Sequence, residues 1–176
     1  MKDKNLGKII VTEKELKKRI EELAIKINND YQNKELIIIS IMKSSLYFMA
    51  DLTRKLDISV KLDFLELSHY SHNDESGEIR VTRDLEFSIS NKEVLILENI
   101  INTGLTHNYL RQNLESRNPK SLKICTLLNN VEKKLVEIPV EYSGFEISSG
   151  FVVGYGLDYK EKYRNLPYIV EYNREK

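Results

Sequence analysis

Three short apolar runs, which do not alternate with polar residues, constrain the fold of this chain more than any other feature. They lie at residues 36–39, 94–97 and 122–128, and helical patterns follow the first two. A strand with one solvated face alternates, so these runs indicate strands buried on both faces of a parallel sheet. A fourth run, residues 60–67, alternates more and is expected nearer an edge. The pattern predicts an α/β fold that binds ligands at the carboxyl ends of its strands.

Length and charge narrow the class of protein further. The chain has 176 residues, which fits one domain, and its 27 Lys+Arg cancel its 27 Asp+Glu. No bulk charge therefore favours nucleic acid or a membrane surface as a partner. The single cysteine, Cys125, and three scattered histidines exclude a disulfide framework and make a zinc site improbable. Without an apolar stretch near about 18 residues, a cytoplasmic protein is expected.

Two segments outside the apolar runs carry local signals. Thr12 and Glu15 have the spacing of a capping box, and apolar residues recur behind them at helical intervals, which predicts an amphipathic first helix. Residues 68–84 are polar and contain Gly77. Read from the residues alone, this second segment is either a solvated hairpin or a mobile lid over a site.

The segment 98–106, called here the 98–106 loop, carries the strongest chemical signal. It follows a buried run and places Thr103, Gly104 and Thr106 at the start of a helix. Free backbone N–H groups and two hydroxyls at a helix start can cradle a phosphate, and glycine allows close backbone approach. An ordinary capped helix is the alternative. The loop lacks the glycine patterns of nucleoside-triphosphatases and dinucleotide-binding proteins.

The 98–106 loop resembles the phosphoribosyl-pyrophosphate (PRPP) motif of phosphoribosyltransferases, which reads acidic-acidic-x-x-Asp-Thr-Gly-x-Thr after a buried strand. Further segments are similar to the hypoxanthine-guanine branch of that family, in order and with few gaps between residues 36 and 170. They are residues 41–52, 144–147, 151–159 (FVVGYGLDY) and 163–169.

The resemblance implies a fold and an activity. The fold would be type I phosphoribosyltransferase-like: one domain over residues 1–176, a mainly parallel sheet of about five strands flanked by helices, a small hood from the chain ends, and a lid over residues 68–84. The activity would be purine salvage, in which PRPP with Mg²⁺ meets hypoxanthine or guanine and yields IMP or GMP and pyrophosphate. Relatives of this kind form dimers and tetramers, so a homodimer or homotetramer is expected.

The same resemblance implies a role for each of several residues. The 5′-phosphate would be held by Thr103, Gly104, Leu105 and Thr106, and the pyrophosphate by Lys43, Ser44 and Arg164. The base would meet Asn130, Phe151, Val152 and Asp158. The catalytic group would comprise Glu98, Asn99, Asn102, Tyr70 and His69. Magnesium would be held by Glu98 and Asp158.

The chain departs from the family pattern where chemistry is expected. Amides stand in place of two acids and a lysine, at Asn99, Asn102 and Asn130, while the lid has His69 where the family has Ser, and Ser44 replaces Gly. An amide cannot take a proton at neutral pH, and a positioned general base contributes about 10²–10⁴-fold in rate. His69 could replace the lost acceptor or could simply be solvated.

Two functions follow from these departures. One is a salvage enzyme with reduced activity. The other is a catalytically silent member that binds PRPP or purine nucleotides as a regulatory or partner protein. The resemblance also implies a cis peptide in the loop of residues 42–45, and whether Lys43–Ser44 adopts it is left open.

Overall fold

A computed structural model describes residues 3–70, 78–148 and 150–174 of the chain. Helices follow the strands formed by the first two apolar runs, as the helical patterns behind those runs predict. In chain order the elements are β1 (Leu6–Val11), α1 (Glu13–Asp30), β2 (Glu35–Met42), α2 (Leu46–Thr53), β3 (Ser59–Tyr70), β4 (Glu78–Arg83), β5 (Glu93–Ile101), α3 (Leu105–Glu115), β6 (Ser121–Asn130), β7 (Tyr142–Ile147), β8 (Val152–Val153) and β9 (Ile169–Tyr172).

The larger sheet confirms the predicted α/β class. Its strand order is β4-β3-β2-β5-β6-β7. Five neighbouring strands are parallel, in the order β3-β2-β5-β6-β7, and β4 pairs antiparallel with β3 at one edge. The more alternating run at residues 60–67 lies in β3, next to that edge strand. Parallel neighbours bring their carboxyl ends to the same side of the sheet, where a ligand site is expected.

Apolar cores on both faces of this sheet explain why its strands do not alternate. Even-numbered residues of β2, such as Leu36 and Ile38, pack with α1 and α2. Odd-numbered residues, such as Ile37 and Ile39, pack with α3 on the opposite face. Each central strand therefore has apolar side chains at consecutive positions, because neither face meets water. Cys125 is buried in the first of these cores.

The first helix begins as its sequence predicts. The Thr12 side chain accepts a hydrogen bond from the Glu15 backbone N–H, and the Glu15 carboxylate accepts one from the Thr12 backbone N–H, which completes the capping box. Arg19 of the same helix donates to the carbonyls of Ser143 and Gly144 at distances of 2.9 and 2.7 Å. These bonds fix α1 against β7.

Both chain ends contribute to a second, smaller sheet. It has the order β1-β9-β8 and is antiparallel. Between residues 68 and 84, β3 and β4 form two antiparallel arms. The tip between these arms, residues 71–77, lies outside the described residues. No helix in the described ranges combines the length and the apolar character needed to cross a bilayer.

Candidate active site

A cavity of about 550 Å³ opens at the carboxyl ends of β2 and β5. It brings together most of the residues that the sequence predicts for phosphate and pyrophosphate binding. The predicted residues along its wall are Lys43, Ser44, Glu98, Asn102, Thr103, Gly104, Thr106, Asp158 and Arg164. Met42, Ile100 and His107 also line it. The cavity therefore lies where the sheet topology predicts a ligand site.

The loop that follows β2 contains a cis peptide bond, as the family resemblance implies. The bond joins Met42 to Lys43, one position before the Lys43–Ser44 bond considered from the sequence. Beyond it, the Ser44 hydroxyl donates to Glu98 Oε1 over 3.1 Å. The serine that replaces the family's glycine thus holds a carboxylate of the neighbouring strand.

The 98–106 loop ends at the first turn of α3. Gly104 caps this helix in a left-handed conformation, with φ of 82°. A Cβ built at Gly104 would lie 2.4 Å from the Val136 carbonyl oxygen, so the glycine is required by packing against the chain as well as by its φ. The Thr103 carbonyl accepts from the backbone N–H groups of Leu135 and Val136. The first turn of α3 is thereby held with its N–H groups at the cavity.

Leu105 differs from its neighbours in that loop in how it can bind a phosphate. Its side chain is 50% exposed and does not line the cavity, so only its backbone can take part in a phosphate cradle. Thr103 and Thr106 both line the cavity and can offer hydroxyl donors to it.

Glu98 has a contact that the sequence analysis missed. Its Oε2 lies 3.1 Å from His107 Nε2, and both side chains are buried. Its Oε1 accepts from the Asn99 backbone N–H over 2.8 Å as well as from Ser44. His107 follows Thr106 by one residue; it is one of the three histidines in the chain, and the sequence gives it no role. Because α3 begins at Leu105, the first helical turn directs this histidine back onto β5.

Asn99, which the resemblance places in the catalytic group, faces away from the cavity. Its side chain is fully buried and does not line the cavity. Its Nδ2 donates to the backbone carbonyls of Ser44 and Tyr155, at 3.0 and 2.8 Å. The physical reason is strand alternation: Glu98 and Ile100 face the cavity, so the residue between them faces the opposite way. Asn99 therefore acts as a structural clamp between two loops.

Asn102 and Asn130 form a direct contact at the ends of β5 and β6. Asn130 Nδ2 donates to Asn102 Oδ1 over 3.2 Å, and Asn130 Oδ1 accepts from the Lys133 backbone N–H over 3.3 Å. Asn130 is fully buried, whereas Asn102 is exposed at the cavity. The two amides that replace a family acid and a family lysine are thus partners.

An acidic side chain on the rim engages both predicted pyrophosphate cations. Glu161 contacts Lys43 Nζ at 3.5 Å and Arg164 Nη2 at 3.1 Å. The hydrogen bond from Arg164 lowers the pKa of the Glu161 carboxyl below its usual value. Arg164 also contacts Asp158 Oδ1 at 2.9 Å. The sequence analysis missed Glu161, although it stands three residues before Arg164.

Three of the four predicted base-binding residues, Asn130, Phe151 and Val152, lie outside the cavity wall, whereas Asp158 lines it. Val152 is buried in β8. The Phe151 ring has the Arg174 guanidinium 3.6 Å from its centroid and the edges of Tyr159 and Tyr172 beside it. One face of Phe151 is therefore covered by a cation. The side chains of His69 and Tyr70 lie outside the described residues.

The fit of the acidic residues to magnesium depends on how many carboxylates lie together. Within the described ranges, no group of three or more His, Cys, Asp or Glu side chains is arranged to hold a metal ion. Glu98 and Asp158 both line the cavity, but each already accepts hydrogen bonds from protein groups. Mg²⁺ commonly takes one or two carboxylates and completes its shell with phosphate oxygens and water. The residues fit an ion that arrives with a phosphate ligand.

Comparison with known proteins assigns this chain to one protein family. The chain belongs to the family described as phosphoribosyl transferase domain, whose model matches residues 8–160. Within it, the chain is 44% identical over 172 residues to the hypoxanthine-guanine phosphoribosyltransferase of Dictyostelium discoideum, covering 95% of this chain and 96% of that protein. It is 40% identical over 166 residues to the enzyme of that name from Bacillus subtilis, covering 94% and 92%.

A solved structure gives the same assignment. The hypoxanthine phosphoribosyltransferase of Staphylococcus aureus superposes with a TM-score of 0.91 at 40% identity, covering 96% of this chain and 92% of that one. The central sheet, the flanking helices and the cavity at the strand ends are therefore those of a type I phosphoribosyltransferase.

Proposed function

We propose that the protein transfers the 5-phosphoribosyl group from PRPP to hypoxanthine or guanine, giving IMP or GMP and pyrophosphate. The observation that carries this proposal is the cavity that joins the first turn of α3 to Lys43, Arg164 and Glu98. It offers N–H groups and hydroxyls to one phosphate and two cations to another, with a carboxylate between them. The relatives named hypoxanthine-guanine phosphoribosyltransferase support the same substrates.

Each phosphate of PRPP has a proposed partner. The backbone of residues 103–106 and the two threonine hydroxyls hold the 5′-phosphate, since a helix start favours an anion. Lys43, Ser44 and Arg164 hold the pyrophosphate. For this to happen, the ion pairs of Glu161 with Lys43 and Arg164 must break. Asp158 and Glu98, which line the cavity, are the residues that would hold a Mg²⁺ ion bound to PRPP. That ion would supply positive charge to offset the charge of the pyrophosphate.

Glu98 is the proposed carboxylate at the ribose. The transition state of this transfer has oxocarbenium character, so a nearby negative charge stabilises it. Ser44, His107 and the Asn99 backbone fix the Glu98 side chain in one orientation. The base would stack on the face of Phe151 opposite the Arg174 guanidinium, with the Val152 backbone reading its edge. His69 and Tyr70 would close over the reaction on the 68–84 lid.

We propose that turnover is slower than in relatives with a loop acid. Asn102 stands where the family places the proton acceptor, and an amide cannot take that role at neutral pH. The loss of a general base predicts a rate lower by about 10²–10⁴-fold. The alternative function, a silent member that binds PRPP or nucleotides and regulates or partners another protein, is favoured by the same residue.

A steady-state assay with calorimetry separates these functions. Purified protein is mixed with Mg²⁺, PRPP and hypoxanthine, guanine or xanthine, and binding of each ligand is measured in parallel. IMP or GMP formation, lost in a Thr106→Val control that weakens the phosphate cradle, supports the enzyme. Tight PRPP binding with no product from any base supports the silent member. No binding of PRPP or nucleotide would overturn both.

Self-association is a separate proposal. Leu46 and Tyr47 at the start of α2 are 43% and 40% exposed, next to the loop that follows β2. We propose that this apolar surface is covered in a homodimer or homotetramer. Sedimentation of the wild type against Leu46→Glu tests it, and an unchanged mass would contradict it.

A further inference from the structure

We infer that the Asn102–Asn130 amide pair reverses the hydrogen-bond polarity of the base site, so that Asn102 offers a donor where a proton acceptor is expected. The site then prefers a purine whose imidazole nitrogen N7 is an unprotonated acceptor, as in the nucleotide product, over a base protonated at N7. This inference rests on the proposed function, because it takes Asn102 to face N7 of the bound purine.

The direction of the hydrogen bonds starts from a group that can only donate. The backbone N–H of Lys133 lies 3.3 Å from Asn130 Oδ1. An amide oxygen accepts and an amide NH₂ donates, so this contact fixes which end of the Asn130 side chain faces Lys133. Asn130 is fully buried, and turning its amide over would bring an NH₂ group against that N–H. The orientation of Asn130 is therefore set by the backbone.

The second bond transmits this orientation to the cavity. With its oxygen committed to Lys133, Asn130 directs Nδ2 at Asn102 over 3.2 Å. Only the oxygen of Asn102 can accept that bond, so Asn102 Oδ1 faces Asn130. The remaining Asn102 Nδ2 has no hydrogen-bond partner in the part of the chain that the structure describes. Asn102 is exposed and lines the cavity, which makes this NH₂ the free end of the amide.

The chemistry of the purine decides what this donor selects. In a 6-oxopurine nucleotide, N9 carries the ribose and N7 has a free lone pair, which accepts a hydrogen bond. A base protonated at N7 would instead place an N–H against the Asn102 NH₂. A neutral hydrogen bond contributes about threefold to tenfold in affinity, and an unpaired polar contact loses more. The pair thus favours the bound nucleotide and disfavours one tautomer of the free base.

Calorimetry with IMP and 7-deaza-IMP tests this inference. The analogue has C–H in place of N7 and no acceptor there, so the wild type should bind IMP about threefold to tenfold more tightly. Asn102→Asp replaces the donor with a carboxylate that repels the N7 lone pair, and it should bind IMP no more tightly than 7-deaza-IMP. Asn102 is exposed, so this variant is expected to fold as the wild type does.

A second variant tests the bond chain without altering Asn102. In Asn130→Asp, a carboxylate accepts from Lys133 and from Asn102, so the Asn102 amide turns and presents its oxygen. The preference for IMP over 7-deaza-IMP should then disappear. Equal wild-type affinities for the two nucleotides would overturn the inference and leave the proposed function standing. Failure of the wild type to bind either nucleotide would overturn the proposed function itself.

Discussion

At the scale of single residues, Asn99 shows how one side chain can be read in two ways. Its place after Glu98, where the family has an acid, implies a catalytic role by resemblance. Its contacts instead join two backbone carbonyls beneath the cavity. An amide is the group that these two oxygens need, because a carboxylate there would face two acceptors with no donor. The departure at position 99 is therefore tied to the packing of this chain.

Asn99→Asp is predicted to destabilise the protein rather than restore activity. A buried carboxylate without donors costs about 3–5 kcal/mol, and burial raises its pKa in the folded state. The folded state then binds more protons than the unfolded state, so the loss is small below the unfolded pKa of about 3.9 and grows as pH rises. Urea unfolding at pH 5 and pH 8 measures this.

Asn102→Asp is the matched control for that experiment, because it introduces the same carboxylate at an exposed position of the same loop. Its free energy of unfolding should stay close to the wild-type value at both pH values. Equal losses in the two variants would show that the buried clamp at Asn99 is not the cause.

Glu161 offers a second prediction at this scale. Because it contacts both Lys43 and Arg164, a pyrophosphate ligand must compete with it. Glu161→Gln should bind pyrophosphate several-fold more tightly, and the gain should shrink at high salt, since Glu161 and Lys43 are exposed. Titration calorimetry in low and high salt measures the effect. Glu115→Gln, which breaks an ion pair with Arg111 on α3, is the charge-matched control and should bind as the wild type does.

At the scale of secondary-structure elements, the first turn of α3 fixes the carboxylate on β5. His107 holds Glu98 Oε2 from the helix, and Ser44 holds Oε1 from the loop after β2. Removing one partner of a buried polar group costs about 1–3 kcal/mol. His107→Leu should therefore lower kcat/KM about tenfold and reduce the free energy of unfolding, whereas His107→Gln, which keeps a donor, should retain most of both.

A role of His107 in packing alone would give a different result. Both variants would then lower stability to a similar degree, and kcat/KM measured on the folded fraction would stay at the wild-type value. Thermal unfolding and steady-state kinetics on the same samples distinguish the two outcomes.

The sequence predicted secondary-structure elements better than it predicted side-chain directions. Continuous apolar runs predicted β2, β5 and β6, because a sheet covered on both faces leaves no other pattern. Because both faces of the sheet are covered, the sequence did not predict which way side chains point at the strand ends. Since β5 is buried on both faces, nothing in its hydropathy marks Glu98 as facing the cavity and Asn99 as facing away. The alternation of Glu98, Ile100 and Asn102 was the available signal.

Contacts between distant segments were less predictable. The Asn102–Asn130 bond joins residues 28 positions apart, and the Glu98–His107 contact depends on where α3 begins. Neither spacing has a sequence signature of its own. The resemblance to a family identified the residues that differ, and the packing of this chain decided which of them contact one another.

At the scale of the whole molecule, the larger sheet carries the cavity proposed to hold phosphate, and the sheet from the chain ends carries the expected base segment. The cavity lies in the first, and Phe151 and Val152 lie beside or within the second. We propose that PRPP is held by the larger sheet while the purine is held under the smaller one. The slow step is then the removal of the proton from the base, next to Asn102.

The kcat for IMP formation by the wild type and by Asn102→Asp, measured side by side with saturating PRPP, Mg²⁺ and hypoxanthine, tests this account most directly. We expect both proteins to form IMP, and we expect Asn102→Asp to be at least about tenfold faster, since it regains a proton acceptor. IMP formation by neither protein, or a wild type as fast as the variant, would contradict the account.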